Sequence, residues 1–330
     1  MTSIASPTGQ VRREPSRRAR VLRRLRRNPL ALTSFIVLMI AVLVALLAPW
    51  LAPYSAEQTD FANTFAPPGT AGHLPGTDDL GRDVASRIIL GSRASLEVAL
   101  LAVATALFIG VPLGLAAGYF RAVDAVISRF TDLLLAFPFL ILAVGLAAVR
   151  GASLANAAVA IGISQIPGII RLVRSETLRL KSLDFVAAAV VDGASDLWVL
   201  SRHVLPNATS VILVQATVAV PAAILGEAVL SFLGLGIQPP APSLGTMLAT
   251  AQQFATRAPW AAILPGVAIM VLVLAFNVFG DRLRDALDPR GANDELTNPD
   301  PTTTAHRRPG PGGARAVGVL QHRERHRVRG

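Results

Sequence analysis

Residues able to do chemistry are few in this 330-residue sequence, and they are scattered along it. The absence of cysteine excludes disulfides and thiolate chemistry. Of the five histidines, three lie beyond residue 300, His73 lies in a polar stretch, and His203 alone lies near the apolar runs. A metal centre needs a cluster of His, Asp or Glu, and a His-based nucleophile needs a nearby base. We therefore expect no catalytic residue and no metal site in this chain.

Two acidic residues interrupt apolar runs. Glu227 lies deep in one run, and Asp132 lies closer to the end of another. A charge within a membrane span is costly, so it marks either a transport path or a hydrogen bond between helices. Both interpretations stay open for Glu227. Asp132 follows Arg129 by one helical turn, and this spacing predicts a local ion pair.

The elements that must position these residues are long apolar helices. The chain is 52% hydrophobic, 16% charged, and has a mean hydropathy of +0.52, whereas a soluble domain carries about 25% charge. A helix needs about 20 apolar residues to cross a bilayer. The sequence therefore predicts an all-α integral membrane protein of the cytoplasmic membrane, with six transmembrane helices, in contact with lipid. Their approximate ranges are 30–52, 94–118, 124–149, 153–173, 208–233 and 260–280.

Lys and Arg in the loops predict the orientation. With a cytosolic N-terminus, 26 of the 31 basic residues fall on the cytosolic side and 5 outside. This asymmetry follows the positive-inside rule, so both termini are expected in the cytosol. The first run, about 23 residues long, exceeds the apolar core of a signal peptide (about 7–15 residues), so it is expected to be retained. The net charge of +10 thus reflects topology, and no nucleic-acid partner is expected for the folded part.

The predicted organisation has five parts. The basic tail and the C-terminal tail are expected to be cytosolic, the latter solvated and disordered because of its Pro, Gly, Thr and Arg content. Binding of anionic lipid or nucleic acid by the C-terminal tail is the lesser alternative. The predicted ranges are 1–28 for the basic tail, 29–53 for the first span, 54–93 for an external loop, 94–283 for a five-helix core and 284–330 for the C-terminal tail.

The largest cytosolic connection between spans, residues 174–207, predicts a helix–glycine–helix elbow. Asp184 can cap a first short helix, which Gly193 ends in the left-handed conformation. Ser195 can cap a second helix from Asp196, which Pro206 stops. Four apolar residues of this second helix are predicted to share one face: Leu197, Leu200, Val204 and Leu205. By spacing alone, an interfacial connector and a docking surface for another protein are equally good interpretations.

This loop resembles the cytoplasmic signature loop of ABC importer permeases. The matching stretches are Ala187–Ala189, Gly193–Ser195 and Arg202–Asn207. Other stretches resemble the second, C-type permease of the dipeptide, oligopeptide and nickel importers, and the likeness runs from about residue 27 to 290. They are Gly76–Asp83, Leu230–Gly236 with Gln238–Pro240, and Asn277 with Gly280–Arg290. Ala187 stands where the signature often has Glu and Val190 where an Arg is common, so neither can supply a charged contact.

The resemblance implies a type I ABC importer permease fold and a transport subunit without catalytic activity of its own. It implies four kinds of partner: a homologous second permease, two ABC ATPase subunits, an extracytoplasmic solute-binding protein, and lipid. ATP and magnesium would bind to the ATPases, and no cofactor to this chain. The elbow residues implied to contact an ATPase are Ala188, Asp192, Gly193, Ser195, Asp196, Arg202, His203 and Pro206. Glu227 is a possible path-lining residue.

Two rival classes and the cargo remain to be weighed. An ion-coupled secondary carrier is expected to show several acids or histidines at mid-membrane, and only Glu227 fits. A membrane-embedded enzyme lacks a plausible cluster of catalytic residues. The resemblance favours short peptides as cargo, with nickel chelates, glutathione-like thiols or another small solute as alternatives.

Overall fold

The computed structural model describes residues 29–287, which form a bundle of α-helices. The predicted tails, 1–28 and most of 284–330, lie outside the described residues. The first half of the bundle comprises α1 (Pro29–Leu46), α2 (Ala48–Leu51), α3 (Val84–Tyr119), α4 (Arg121–Ala136), α5 (Phe139–Arg150) and α6 (Leu154–Lys181). The second half comprises α7 (Asp184–Val191), α8 (Asp196–Val199), a π-helical turn (Leu200–Val204), α9 (Leu205–Phe232), α10 (Leu244–Gln252) and α11 (Pro259–Leu287).

Five helical segments are long and apolar enough to cross a membrane, and the α4–α5 pair adds a sixth if it counts as one span. The third predicted span, 124–149, contains Pro138 and is broken there, because α4 and α5 meet at an angle of 83°. Pro138 lacks an N–H, and a residue before proline disfavours the helical region. Accordingly, Phe137 is extended, with φ −93° and ψ 120°. The predicted six-span fold holds, with its third span broken at Pro138.

The pair α3 and α6 forms the centre of the bundle. Glycines at every fourth position of α3 let the two backbones approach closely, as in membrane helices generally. A Cβ added to Gly114 would lie 2.7 Å from the Cβ of Val173, and one added to Gly118 would lie 2.5 Å from the Cβ of Thr177. The helices α9 and α11 pack beside this pair. This tight contact gives α4, α5 and α9 a fixed partner.

Residues 54–83 fold into a compact cap at the predicted external end of the bundle. Asp83 ends the cap and begins α3, because its carboxylate accepts a hydrogen bond from the Ser86 N–H at 2.8 Å. The helix therefore begins at Val84, ten residues before the predicted start of this span at 94, and takes up part of the predicted loop 54–93. His73 Nδ1 lies 3.1 Å from the other Asp83 oxygen.

Two further contacts tie the cap to the bundle. Trp260, at the start of α11, donates its indole N–H to the Thr77 carbonyl oxygen at 3.1 Å. Arg87, in the first turn of α3, donates to the Ala56 carbonyl oxygen at 2.9 Å. Within the cap, Asp60 caps a 3-10 turn over Phe61–Asn63, and its hydrogen bond from the Asn63 amide lowers the pKa of the Asp60 carboxyl. The cap is thereby joined to two different spans.

Candidate functional site

The first half of the elbow is the helix α7 with the turn that ends it. Gly193 has φ +84°, and the Ala194 N–H bonds to the Ala189 carbonyl at 3.1 Å. Glycine adopts this left-handed conformation without steric cost, so the predicted end of the helix is confirmed. The predicted cap at Asp184 is wrong, because α7 begins at Asp184 itself and its side chain makes no capping bond. A carboxylate in the first turn still favours the helix electrostatically.

The second half of the elbow runs directly into a transmembrane helix. The prediction that Pro206 stops it is wrong: α8, the π-helical turn and α9 are continuous from Asp196 to Phe232. A proline inside a helix removes one N–H bond and pushes its ring against the carbonyl four residues earlier. In the π-helical turn the Leu205 N–H bonds to the Leu200 carbonyl, five residues back. This wider turn accommodates Pro206 without ending the helix.

The inner side of the elbow is anchored to the ends of α3 and α6. A buried apolar cluster joins Val186, Val199 and Val204 to Leu180 of α6. The predicted apolar face of the second helix is therefore shifted, because Val199 is buried in place of Leu197, which is 75% exposed. The elbow is thus packed against the ends of these two spans.

Polar contacts strengthen the same anchor. The Tyr119 hydroxyl donates to the Asp196 carboxylate at 2.9 Å, and Lys181 donates to the Tyr119 carbonyl at 2.7 Å. The ammonium of Lys181 also lies 4.6 Å from the centre of the Tyr119 ring. Asp196 therefore serves an internal contact, which sequence reasoning did not anticipate since Tyr119 is 77 residues away.

The outer side of the elbow presents an apolar surface, which we call the elbow face. Val191 is 85% exposed at the tip, beside Val190, and Leu197 and Trp198 continue the surface on the second helix. Ala188 is exposed on the same helix as Val191. Exposed apolar groups that adjoin one another mark interaction sites in proteins.

Charged and polar residues border the elbow face. The side chains of Asp192 and Arg202 are exposed and have no partner among residues 29–287. Ser195 occupies the predicted capping position but its hydroxyl makes no capping bond. His203 packs edge-on to Trp198 with ring centroids 4.8 Å apart, and its Nε2 is buried without a partner within the described chain. Of the predicted elbow residues, Asp192 and Arg202 are therefore the charges available to another molecule.

Glu227 forms a buried hydrogen-bonded junction between elements. The Ser95 hydroxyl of α3 donates to one carboxylate oxygen at 2.6 Å, and the Ser231 hydroxyl donates to the other at 2.7 Å. Ser231 in turn accepts the Ile237 N–H at 3.1 Å, which fixes the loop after α9. The side chain is fully buried. These contacts favour the packing interpretation of Glu227 over the path-lining one.

Two ion pairs attach α4 to α6. The predicted pair between Asp132 and Arg129 is wrong, since Arg171 donates to Asp132 at 2.7 Å. One turn further along α6, Arg174 grips Asp124 with two nitrogens, one of them at 2.7 Å. The partner of Asp132 therefore comes from α6 and not from its own helix. These pairs connect the broken span to the helix that carries the elbow.

An open cleft of about 520 Å³ lies between the α4–α5 break, α6 and α9. Phe137 and Phe139 line it on one side, and Gly226, next to Glu227, on another. Gln165 of α6 also lines it, and sequence reasoning missed this residue because one amide in an apolar run carries no pattern.

Within residues 29–287, no three His, Asp or Glu side chains approach closely enough to hold a metal ion.

Comparison with known protein families identifies the family of this chain. Residues 110–292 match the model of the binding-protein-dependent transport system inner membrane component, and residues 16–68 match the N-terminal TM domain of oligopeptide transport permease C. The chain belongs to the binding-protein-dependent transport system inner membrane component family, and is a multi-pass protein of the cytoplasmic membrane.

Three curated relatives are similar over most of their lengths. The chain is 45% identical to the dipeptide transport system permease protein DppC of Alkalihalophilus pseudofirmus, over 81% of this chain and 88% of the relative. It is 45% identical to the di/tripeptide transport system permease protein DppC of Pseudomonas aeruginosa, over 68% and 75%. It is 44% identical to the glutathione transport system permease protein GsiD of Escherichia coli, over 81% and 89%.

A solved structure supports the fold. An inward-facing structure of the MetNI methionine ABC transporter matches with a TM-score of 0.52 and 20% identity, over 61% of this chain and 96% of that chain. The predicted type I ABC importer permease fold is therefore confirmed. At this identity the likeness concerns the fold alone.

Proposed function

We propose that this chain is a permease subunit of an ATP-driven importer that carries short peptides across the cytoplasmic membrane. The observation that carries this proposal is the similarity, over most of the chain, to the permeases named for dipeptides and tripeptides. The same set includes a glutathione permease. Because glutathione is itself a tripeptide, it falls within the proposed substrate class, whereas nickel chelates have no such support.

The elbow face supports a specific role in energy coupling. We propose that the elbow face contacts an ABC ATPase. The elbow residues proposed for this contact are Ala188, Asp192, Gly193, Ser195, Asp196, Arg202, His203 and Pro206. The apolar tip of the elbow can enter an apolar cleft, with Asp192 and Arg202 as bordering charges. Asp196, by contrast, acts inside the elbow by holding Tyr119. ATP and magnesium would bind to the ATPases rather than to this chain.

The complete pump would have a homologous second permease, two ATPases and an external solute-binding protein. In it, closure of the ATPases on ATP displaces the elbow, and the spans exchange between inward and outward openings. This is a two-state equilibrium shifted by a ligand that binds elsewhere. The cap at residues 54–83 lies at the end opposite the elbow, where the solute-binding protein would dock.

Uptake of labelled dialanine by the importer, purified with all subunits and reconstituted into liposomes, tests the function. We expect uptake that requires ATP and the solute-binding protein. Omission of ATP is the control. If dialanine and glutathione both fail to enter, or if uptake follows a sodium or proton gradient without ATP, the proposed function is wrong.

Val191→Glu tests the coupling role of the elbow face, with Val149→Glu as the matched control. Both valines are 85% exposed. Val149, however, lies near the C-terminal end of α5, on the predicted external side of the membrane, whereas Val191 lies on the cytosolic side. A buried, unpaired charge at a binding surface costs several kcal/mol. We expect Val191→Glu to lower peptide-stimulated ATP hydrolysis at least about tenfold, and Val149→Glu to leave it near the unmodified rate. Equal losses in both variants would contradict the assignment.

A further inference from the structure

The cleft beside the α4–α5 break is uncharged throughout. Its lining residues are Leu134, Leu135, Phe137, Phe139, Ile161, Ser164, Gln165, Ala222, Leu225, Gly226 and Val229. Ligand sites of about 300–1,000 Å³ with mostly apolar walls and few polar groups are typical of small-molecule binding. At about 520 Å³, the cleft has the volume for a short peptide.

Gln165 is the polar side chain in the cleft with bonding capacity to spare. The other polar lining residue, Ser164, donates its hydroxyl to the Ile161 carbonyl of its own helix at 2.7 Å. In contrast, the Gln165 amide nitrogen Nε2 is buried and has no hydrogen-bond partner among residues 29–287. A buried donor without an acceptor is unfavourable, all the more in the membrane interior.

The position of Gln165 along α6 places it far from both membrane surfaces. It lies 11 residues from Leu154 and 16 from Lys181, or about 17 Å and 24 Å along the helix axis. Gln165 faces the break between α4 and α5, and Gly226 of the elbow-linked helix lies across the cleft. A polar group here meets whatever passes through the middle of the membrane.

We propose that the Gln165 carboxamide is the contact in this chain for the backbone of a passing peptide, donating from Nε2 to a peptide carbonyl or terminal carboxylate oxygen. The inference rests on the proposed function and adds a recognition residue to it. A neutral amide matches the peptide group, which every substrate of this class has. The uncharged walls impose no charge requirement on the side chains, and a single hydrogen bond from an uncharged donor releases its ligand readily, as transport requires.

The lack of cysteine in this chain makes single-cysteine variants a direct test. Gln165→Cys is compared with Val149→Cys, which is 85% exposed at the predicted external end of α5 and does not line the cleft. The full importer is reconstituted and treated with 2-aminoethyl methanethiosulfonate, and the mass increase is measured on this subunit, so that cysteines in the partners do not interfere. We expect Cys at 165 to react, and dialanine with ATP and the solute-binding protein to slow its reaction about fivefold by occupancy.

At position 149, dialanine is expected to leave the reaction rate unchanged. An unreactive Cys at 165 overturns the proposal, and so does a reaction rate that dialanine does not change. Equal slowing at both positions also overturns it, because a general conformational change would then explain the protection.

Gln165→Leu gives a second readout, since leucine keeps most of the volume and removes the hydrogen bond. We expect dialanine uptake to fall about tenfold, the equivalent of one lost hydrogen bond, while ATP hydrolysis stimulated by the loaded solute-binding protein is retained. Unchanged uptake overturns only the proposed role of Gln165 and leaves the proposed function of the importer standing. Absence of dialanine uptake in the unmodified importer instead counts against the proposed function, so the two failures are distinguishable.

Discussion

Glu227 shows how a single acidic residue within a span can serve packing. Its two carboxylate oxygens accept from Ser95 and Ser231, so one side chain joins α3, α9 and the loop after α9. Interhelical hydrogen bonds in membranes contribute about 0.6 kcal/mol each on average and reach about 1.7 kcal/mol. The side chain has no contact with the cleft, which its neighbour Gly226 lines instead.

Replacement of Glu227 separates packing from transport. We expect Glu227→Ala to destabilise the chain by about 2–4 kcal/mol, since it leaves a cavity and unpaired serine hydroxyls. Glu227→Gln keeps an acceptor and most of the volume and should cost about 1 kcal/mol. Thermal unfolding in detergent, followed by size-exclusion chromatography, measures both. A stable Glu227→Ala variant that has lost uptake would show that the residue acts in transport.

At the scale of elements, the cap depends on one close backbone approach. Gly81 has φ +72°, and a Cβ there would lie 1.8 Å from the Asp60 carbonyl oxygen. Gly69 has φ +94° but nothing within 4 Å of its added Cβ. Each substitution to alanine is expected to lower the free energy of unfolding by about 1–2 kcal/mol, because alanine disfavours a left-handed backbone. Only Gly81→Ala adds a steric clash.

The comparison of Gly81→Ala with Gly69→Ala therefore isolates the contact. We expect Gly81→Ala to destabilise by at least about 2 kcal/mol more than Gly69→Ala, as overpacking does in well-packed cores. Protease cleavage between residues 54 and 83, measured against intact protein over time, reports this difference. Equal cleavage of the two variants would mean that the cap accommodates a side chain at Gly81 without loss of stability.

The elements themselves were largely predictable. Long apolar runs define spans because a bilayer requires about 20 apolar residues for each, and Gly193 ends a helix because few other residues adopt its conformation. Local rules indicate a bend at Pro138, but they predict neither its angle of 83° nor the continuity of the helix past Pro206. Both sites have a proline, and only the surrounding packing decides whether the chain bends, as at Pro138, or adopts a wider turn, as before Pro206.

The candidate site was predictable in place and less so in detail. The signature loop identified the elbow by resemblance. Val191, the most exposed apolar residue of the elbow face, was not singled out, and Leu197 was predicted to share a face with Leu200 and Val204, which are buried. Exposure depends on which side of the elbow packs against Leu180 and Tyr119, a tertiary contact that helical spacing does not contain. Gln165 likewise became visible only when α4, α6 and α9 enclosed a cleft.

At the scale of the whole molecule, two ion pairs attach α4, the first half of the broken span, to α6. Arg174 bridges to Asp124 with two nitrogens, a geometry that is stronger than a single contact. The pair is partly exposed, so its contribution is expected to be about 1 kcal/mol. A double-mutant cycle of Arg174→Ala and Asp124→Ala measures it.

We expect a coupling energy of about 0.5–1.5 kcal/mol from this cycle. We also expect each single variant to weaken ATP-driven uptake more than it weakens basal ATP hydrolysis, because the position of the broken span relative to α6 sets the cleft. The parallel cycle of Arg171 and Asp132, which is more exposed, serves as a control with a smaller expected value. A coupling energy near zero for both pairs would show that apolar packing alone positions α4.

The unbroken helix from Asp196 to Phe232 has a mechanical consequence. Its 37 residues form a rod about 55 Å long, with the elbow face at one end and Gly226 of the cleft near the other. A tilt of about 10° about the elbow end displaces the helix at Gly226 by about 8 Å, some 30 residues or 45 Å away. Under the proposed coupling, small angular changes imposed by an ATPase would be amplified into displacements wider than a peptide backbone. Opening of the cleft accordingly needs no internal hinge in this rod.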